Sequence, residues 1–260
     1  ILGGVVGFVT FIVLRSILAP KRVESLSMLI KQKKIPLAIK TAKRIIERDP
    51  RNPDAHFLLS EAYLADNKPE LALMELKTVN QIGQFGVYAR EVPFRHKIAE
   101  LYDKFNQPEE ALKEYLLLVK REPENAEHYY RIGKLFEDRN KSDKAAGYYK
   151  KAVELDENHS EANFRLGYLL FRAKRFPDAK VLLERASRKG DGAEPSYYLG
   201  RIFREQKEYQ SAINVLEKEA RSPELKVKEI IERGVCFLNM GDTDRAAAEL
   251  ARPGQLLLVG

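Results

Sequence analysis

The chain has 260 residues, 44% hydrophobic and 32% charged, with 15 Gly, 12 Pro and a single Cys. That apolar content supports a packed core and excludes wholesale disorder; lone Cys236 excludes a disulfide scaffold, and no Cys/His set has zinc spacing. The net charge of +7 points to nucleic acid only until it is divided along the chain: residues 1–51 hold 11 Lys/Arg against 3 Asp/Glu, and the remainder holds 34 against 35.

Ile1 to Leu14 is apolar apart from Thr10, and Arg15 precedes Ser16-Ile17-Leu18-Ala19. Nineteen helical residues span roughly 28 Å, close to the ~30 Å of a hydrocarbon core. The segment 1–19 therefore predicts one transmembrane anchor, with Arg15 reaching the headgroups. A cleaved signal peptide competes, but Ile17 and Pro20 make a poor exit site; a buried apolar helix is the remaining alternative. The basic residues that follow (Lys21, Arg22, Lys31, Lys33 and Lys34) favour a cytoplasmic repeat body. They suit anionic lipid as well as a merely solvated helix face. Gly3-x-x-x-Gly7 allows close helix pairing and hence a homo-oligomer.

From residue 19 onward the chain repeats. Gly133, Gly167, Gly200 and Gly234 recur at intervals of 34, 33 and 34, and Ala145, Ala179, Ala212 and Ala246 keep the same intervals twelve residues later. Extended backwards, the alanine series reaches Ala111, Ala72 and Ala38. Seven units follow, at about 19–52, 53–91, 92–125, 126–159, 160–192, 193–226 and 227–260. Within unit four, Tyr129, Ile132, Gly133 and Phe136 share one helix face, Arg139-Asn140-Lys141-Ser142 is a polar turn, and Ala145, Tyr149, Ala152 and Val153 share the face of a second helix. Proline and polar residues at Asp49-Pro50-Arg51-Asn52-Pro53 and Glu122-Pro123-Glu124-Asn125 separate units.

These residues resemble the tetratricopeptide repeat family. Unit four carries Tyr129, Ile132-Gly133, Phe136, Ala145, Tyr149 and Ala152 in the family's order; unit three carries Ile98-Ala99, Tyr102, Ala111, Tyr115 and Pro123; unit five carries Leu166-Gly167, Leu170, Ala179 and Ala186. The chain departs from the family pattern in having no Trp, in placing Leu26 where the glycine belongs, and in an enlarged second unit around Gln81–Gly86, whose extra residues are expected to lengthen its second helix or the loop after it. In unit seven the second helix is expected to dissolve at Arg252-Pro253-Gly254-Gln255. With no polar capping helix, the native protein is expected to continue past Gly260, or a partner to cover that end.

The resemblance implies an all-α fold: a right-handed solenoid of about seven helix hairpins over residues 20–260, preceded by the anchor. It also implies that first helices line a concave surface, presenting Phe57, Glu61, His96 and Glu100 early in the chain, then Tyr130, Lys134, Glu137, Phe164, Tyr168, Phe171, Tyr197, Arg201 and Arg204. From these, Tyr130, Lys134, Phe164, Tyr168, Tyr197, Arg201 and Arg204 are the candidate partner-binding residues, since aromatics offer rigid contact area and arginine forks onto carboxylates. Tyr168 and Phe171 serve equally well as core. The family's Lys–Asn–Asn–Lys–Arg clamp for chaperone tails is not matched, because the corresponding positions read Glu100, Lys134, Tyr168 and Arg201.

His56, His96, His128 and His159 are spread over units two, three and four as surface or helix-packing residues, and Cys236, beside Val235 and Phe237, reads as a small core hydrophobe. There is no nucleophile elbow, P-loop or dinucleotide fingerprint. The sequence thus predicts a non-enzymatic protein without cofactor or metal, binding other proteins or peptide segments and no nucleic acid. The expected role is a membrane-anchored scaffold or adaptor; the alternative is a structural subunit of a large envelope assembly such as a secretion, pilus or flagellar-motor machine.

Overall fold

The computed structural model describes residues 23–188, 192–217 and 222–256, and among these every regular element is a helix. The expected anchor at 1–19 lies outside the described residues; among those described, no helix is long and apolar enough to cross a membrane. Two compact units divide at Arg121. The first holds three hairpins: α1 (23–31) with α2 (Ile35–Arg48), α3 (Pro53–Ala65) with α4 (Pro69–Ile82), and α5 (Glu91–Lys104) with α6 (Pro108–Arg121). The second holds four: α7 (Ala126–Glu137) with α8 (Ser142–Leu155), α9 (Ser160–Arg172) with α10 (Phe176–Ala186), α11 (Ala193–Glu205) with α12 (Tyr209–Leu216), and α13 (Pro223–Asn239) with α14 (Thr243–Leu256).

Helix starts follow local chemistry. Proline occupies the first or second helical position of α2, α3, α4, α10 and α13, where its missing N–H costs nothing and its fixed φ suits the helix. The side chains of Asn52 and Asn125 accept the backbone N–H of Ala55 (2.9 Å) and Glu127 (3.2 Å), and the imidazole Nδ1 of His159 accepts that of Ala162 (3.2 Å).

Each hairpin turns in the same way. Lys33, Asn67, Asn106, Asn140, Lys174, Lys207 and Gly241 have φ between 52° and 80°, each five residues before a phased alanine. In every case this residue's N–H returns to the carbonyl three before it. The next residue's N–H reaches the carbonyl five before it, as in Lys141 to Phe136 (2.9 Å) and Asp242 to Phe237 (3.0 Å). These paired bonds close the first helix in a Schellman motif and satisfy its last carbonyls. Six of the seven left-handed positions are held by asparagine or lysine, which tolerate the conformation less easily than glycine.

The phased small residues sit where helices cross. Ala38, Ala72, Ala111, Ala145, Ala179, Ala212 and Ala246 are all fully buried. A Cβ added at Gly133, Gly167, Gly200 or Gly234 would lie 2.5–2.9 Å from the side chain sixteen residues on: Tyr149, Leu183, Leu216 and Leu250 in turn. Glycine permits this close approach, since an added methyl group would force the facing side chain to shift.

One expectation needs correcting: helix α14 continues through Arg252 and Pro253 to Leu256 instead of dissolving at Arg252. The proline forfeits its own N–H bond and crowds the carbonyl four before it, a local cost that does not end the helix here. Of the two places open to the extra residues of the second repeat, its second helix or the loop after it, the structure selects the loop. Helix α4 stops at Ile82, closed by Gly83 at φ 70°, and the added residues form a loop before α5. Asp54 of α3 holds that loop, accepting the N–H groups of Val87 (3.0 Å), Tyr88 (2.7 Å) and Ala89 (2.7 Å).

Candidate functional site

In residues 122–256 the first helix α11 touches both its neighbouring first helices, α9 and α13. Side chains aimed along these three helices therefore share one surface. Phe164 and Tyr168 of α9 lie 6.1 and 5.0 Å, centroid to centroid, from Tyr198 of α11. Phe171 is 5.3 Å from the same ring and Tyr197 5.1 Å. The arrangement is tilted or edge-on throughout, the geometry aromatic quadrupoles favour. Burial holds the phenol of Tyr198 protonated, its pKa pushed up to about 12 with help from Tyr168 and Glu194; burial raises Tyr197 as well.

Arginines cover this nest. The guanidinium of Arg201 stands 5.1 Å from the Phe171 ring and 5.8 Å from Tyr197. Arg172 lies 5.8 Å from Tyr168, and Arg165 5.7 Å from Phe164. Arg201 and Arg204 both face Glu232 of α13, with Nε to carboxylate distances of 3.4 and 3.0 Å. Arg204 also meets Glu205 at 3.1 Å. Glu232 thus offsets part of their charge and Glu205 more of that on Arg204, so an incoming carboxylate would share these arginines with Glu232 rather than meet bare cations.

The other predicted residues divide. Tyr130 belongs to a separate group, its ring 5.1 Å from His159 and 5.9 Å from Tyr149. The Tyr149 hydroxyl donates to Glu137 at 2.5 Å, and Arg165 stands 3.7 Å from that carboxylate. His159 donates from Nε2 to Glu127 at 3.1 Å, and that bond raises its pKa above the ordinary value against the effect of burial. Lys134 is exposed on α7. Phe164, Tyr168, Tyr197, Arg201 and Arg204 are therefore brought together, while Tyr130 and Lys134 stand on α7 outside the nest.

Sequence reasoning missed Tyr198 and Glu232. Both lie two residues before a phased glycine, where the preceding repeats carry Arg131 and Arg165. The signal was this register, read across units as ring, cation or carboxylate facing the neighbouring first helix.

Residues 23–121 carry a groove of their own, of about 740 Å³, lined among others by Phe57, Glu61, Tyr88, His96, Lys97 and Glu100. Phe57, Glu61, His96 and Glu100 all line it, Phe57 as a largely buried ring. Lys97 binds Glu61 at 3.3 Å and stands 5.9 Å from the Phe57 ring. Cys236 is fully buried among Ala212, Ile213, Phe237 and Ala246, and burial together with Glu232 pushes its thiol up to about 11; it serves as a core side chain, as its neighbours in sequence indicated.

Among solved structures, MamA of Desulfovibrio magneticus shares 20% identity at a TM-score of 0.56, covering 68% of this chain and 98% of its own. YrrB, described as a TPR protein with an unusual peptide-binding site, shares 16% at 0.55, covering 64% and 82%. The C-terminal part of a repeat protein of Cytophaga hutchinsonii shares 14% at 0.67, covering 88% and 93%. At such identities the likeness establishes the fold alone. No curated protein matches the sequence significantly. The tetratricopeptide repeat profile matches residues 29–76, 96–160, 130–188 and 164–224, which takes in most of both units and every residue of the aromatic nest. With hairpins, phased small residues and profile in agreement, the chain belongs to the tetratricopeptide repeat family.

Proposed function

We propose that this protein is a membrane-anchored adaptor that binds a segment of another protein on the first-helix surface of residues 126–239, with residues 1–19 as the anchor. The observation that carries the reading is the ring cluster of Phe164, Tyr168, Phe171, Tyr197 and Tyr198: half-buried, rigid, and roofed by Arg201. Rings that are only half covered keep apolar area to give to a partner, and burying it is what makes aromatic side chains dominate interfaces. Because Arg201 and Arg204 are held by Glu232, they orient a partner more than they attract its charge. An apolar or aromatic side chain seated among the rings, with a backbone carbonyl or carboxylate towards the arginines, is the ligand this surface suits. Peptide binding at a special site in YrrB supports the reading by analogy of fold.

The test is capture of partners by the full chain from its own membrane, repeated with Tyr168→Ala and Tyr197→Ala together. Binding of the captured partner is expected to fall at least about tenfold for a hot-spot pair, with helicity by circular dichroism unchanged. Undiminished capture by the double variant would refute the nest as the docking surface and point to self-assembly through other faces.

A further inference from the structure

The hairpin of α1 and α2 differs from the six that follow. Residues 23–51 carry eight Lys/Arg and three Asp/Glu, and all eight cations are exposed. Among the described residues none of these eight forms an ion pair. Two large apolar side chains lie exposed among them: Met28 at 58% and Leu37 at 50% of full accessibility. Both flank the hairpin tip, where Lys31, Lys33 and Lys34 follow one another around the turn.

Helical geometry extends the tip into a stripe. In α2, Ala38, Ala42 and Ile45 face the core. Leu37, Lys40, Arg44 and Arg48, spaced by three, four and four residues, run along a line facing away from it. Residues 23–52 contain no aromatic side chain, so this surface lacks the stacking platforms that single-stranded nucleic acid uses. Lysines on flexible stems around isolated Met and Leu instead fit a layer of anionic headgroups, where charge is dispersed and the apolar tips can enter the interface.

We propose that the α1–α2 hairpin lies against a bilayer surface and binds anionic lipid headgroups through Lys31, Lys33, Lys34, Lys40 and Arg44, with Met28 and Leu37 dipping into the interface. The inference rests on the anchoring reading of residues 1–19 for bringing a bilayer within reach, since the hairpin begins only four residues after that apolar run. Such docking would fix the orientation of the first repeats on the membrane, a role a bare anchor does not supply.

The experiment uses the full chain carrying Cys236→Ala and an environment-sensitive fluorophore on Met28→Cys. It is mixed with vesicles of phosphatidylcholine alone, or with roughly one third phosphatidylglycerol. A blue shift confined to anionic vesicles is expected. Each lysine at such a surface is worth about fivefold in partitioning, so Lys31→Glu, Lys33→Glu and Lys34→Glu together should weaken the fluorescence-detected contact by at least about a hundredfold. Raising the salt to about 0.5 M should largely abolish it. A control label on Val181→Cys, exposed on α10, should not respond. Flotation on neutral vesicles reports the anchor separately. If the chain floats but the Met28 label stays in water on anionic vesicles, the anchor stands and the hairpin proposal falls. If the chain does not float on neutral vesicles but the label shifts on anionic ones, the reverse holds. Equal shifts on both vesicle types, or a response to duplex DNA in place of vesicles, would also overturn the proposal.

Discussion

In the four hairpins of residues 122–256 the tightest helix crossing sets a glycine against a large side chain sixteen residues on: Gly133 against Tyr149, Gly167 against Leu183, Gly200 against Leu216 and Gly234 against Leu250. The three hairpins of residues 23–121 fill the same register differently. Leu26 is sixteen residues before Ala42, Ser60 before Leu76 and Ala99 before Tyr115, and all six are buried. In the first of these pairs the bulk has changed sides, large on the first helix and small on the second. The other two keep the small residue on the first helix, and Ser60 satisfies its buried hydroxyl by donating to the Phe57 carbonyl at 2.6 Å. The register thus fixes neither residue's identity, and each hairpin fills it with its own pair. A second pairing recurs in both units. The Tyr115 hydroxyl donates to Asp103 at 2.7 Å and that of Tyr149 to Glu137 at 2.5 Å, each tying the second helix to the end of the first.

That comparison can be broken most forcefully at Gly200, where an added Cβ would stand 2.5 Å from Leu216 Cγ. Gly200→Leu is expected to destabilise by about 3 kcal/mol or more, because overpacking here meets a helix that cannot retreat. Combining it with Leu216→Ala, which imitates the Leu26–Ala42 exchange, should return at least ~1 kcal/mol as a coupling energy in a double-mutant cycle. Chemical denaturation of the four variants measures this, and strictly additive losses would show that the two positions do not compete for the same space.

A smaller effect is expected where the two units differ by insertion. Asp54→Ala leaves the N–H groups of Val87, Tyr88 and Ala89 without their carboxylate, at a cost of about 2 kcal/mol for bonds to a charged acceptor. Hydrogen exchange should quicken in the loop between α4 and α5 before it changes elsewhere. Uniform quickening across α1 to α6 would mean that the loop is part of the global unfolding unit.

The smallest effect is a pH dependence. His56 faces two acceptors, Glu75 Oε2 at 2.6 Å from Nδ1 and the Pro50 carbonyl at 3.0 Å from Nε2, so both ring nitrogens must carry protons. Burial opposes the charge, yet the bonds to Glu75 and Pro50 prevail and raise the pKa above 6.5. The stability this gives is fully present below the unfolded pKa and fades as pH rises through the raised folded value. The stability difference between wild type and His56→Gln should accordingly shrink on going from acidic to alkaline pH, and a ring titration by NMR should place the midpoint above the ordinary one. A difference that grows with pH would contradict the imidazolium assignment.

Much of this architecture was readable from residue order. Two small-residue series in phase require helix hairpins of one length, and burial of all seven alanines follows because a helix crossing admits nothing larger beside a bulky partner. Phe164, Tyr168 and Tyr197 were named from the resemblance to the family, which implies that first helices present these positions to one surface; the structure brings the three rings around Tyr198. Leu26 looked degenerate in sequence, yet it is fully buried, and the position sixteen residues on holds Ala42 in place of a large side chain.

The sequence by itself determined the repeat, its hairpin turns and the segregation of positive charge into the first fifty residues, since each depends on spacing or composition along the chain. Only the tertiary structure decided that Tyr198 is the hub of the ring nest, that Glu232 occupies Arg201 and Arg204, and that Asp54 holds a loop more than thirty residues away. Those outcomes turn on which side chains of separate helices come within a few ångströms, and charge balance or ring contact across such gaps leaves no periodic trace in one dimension.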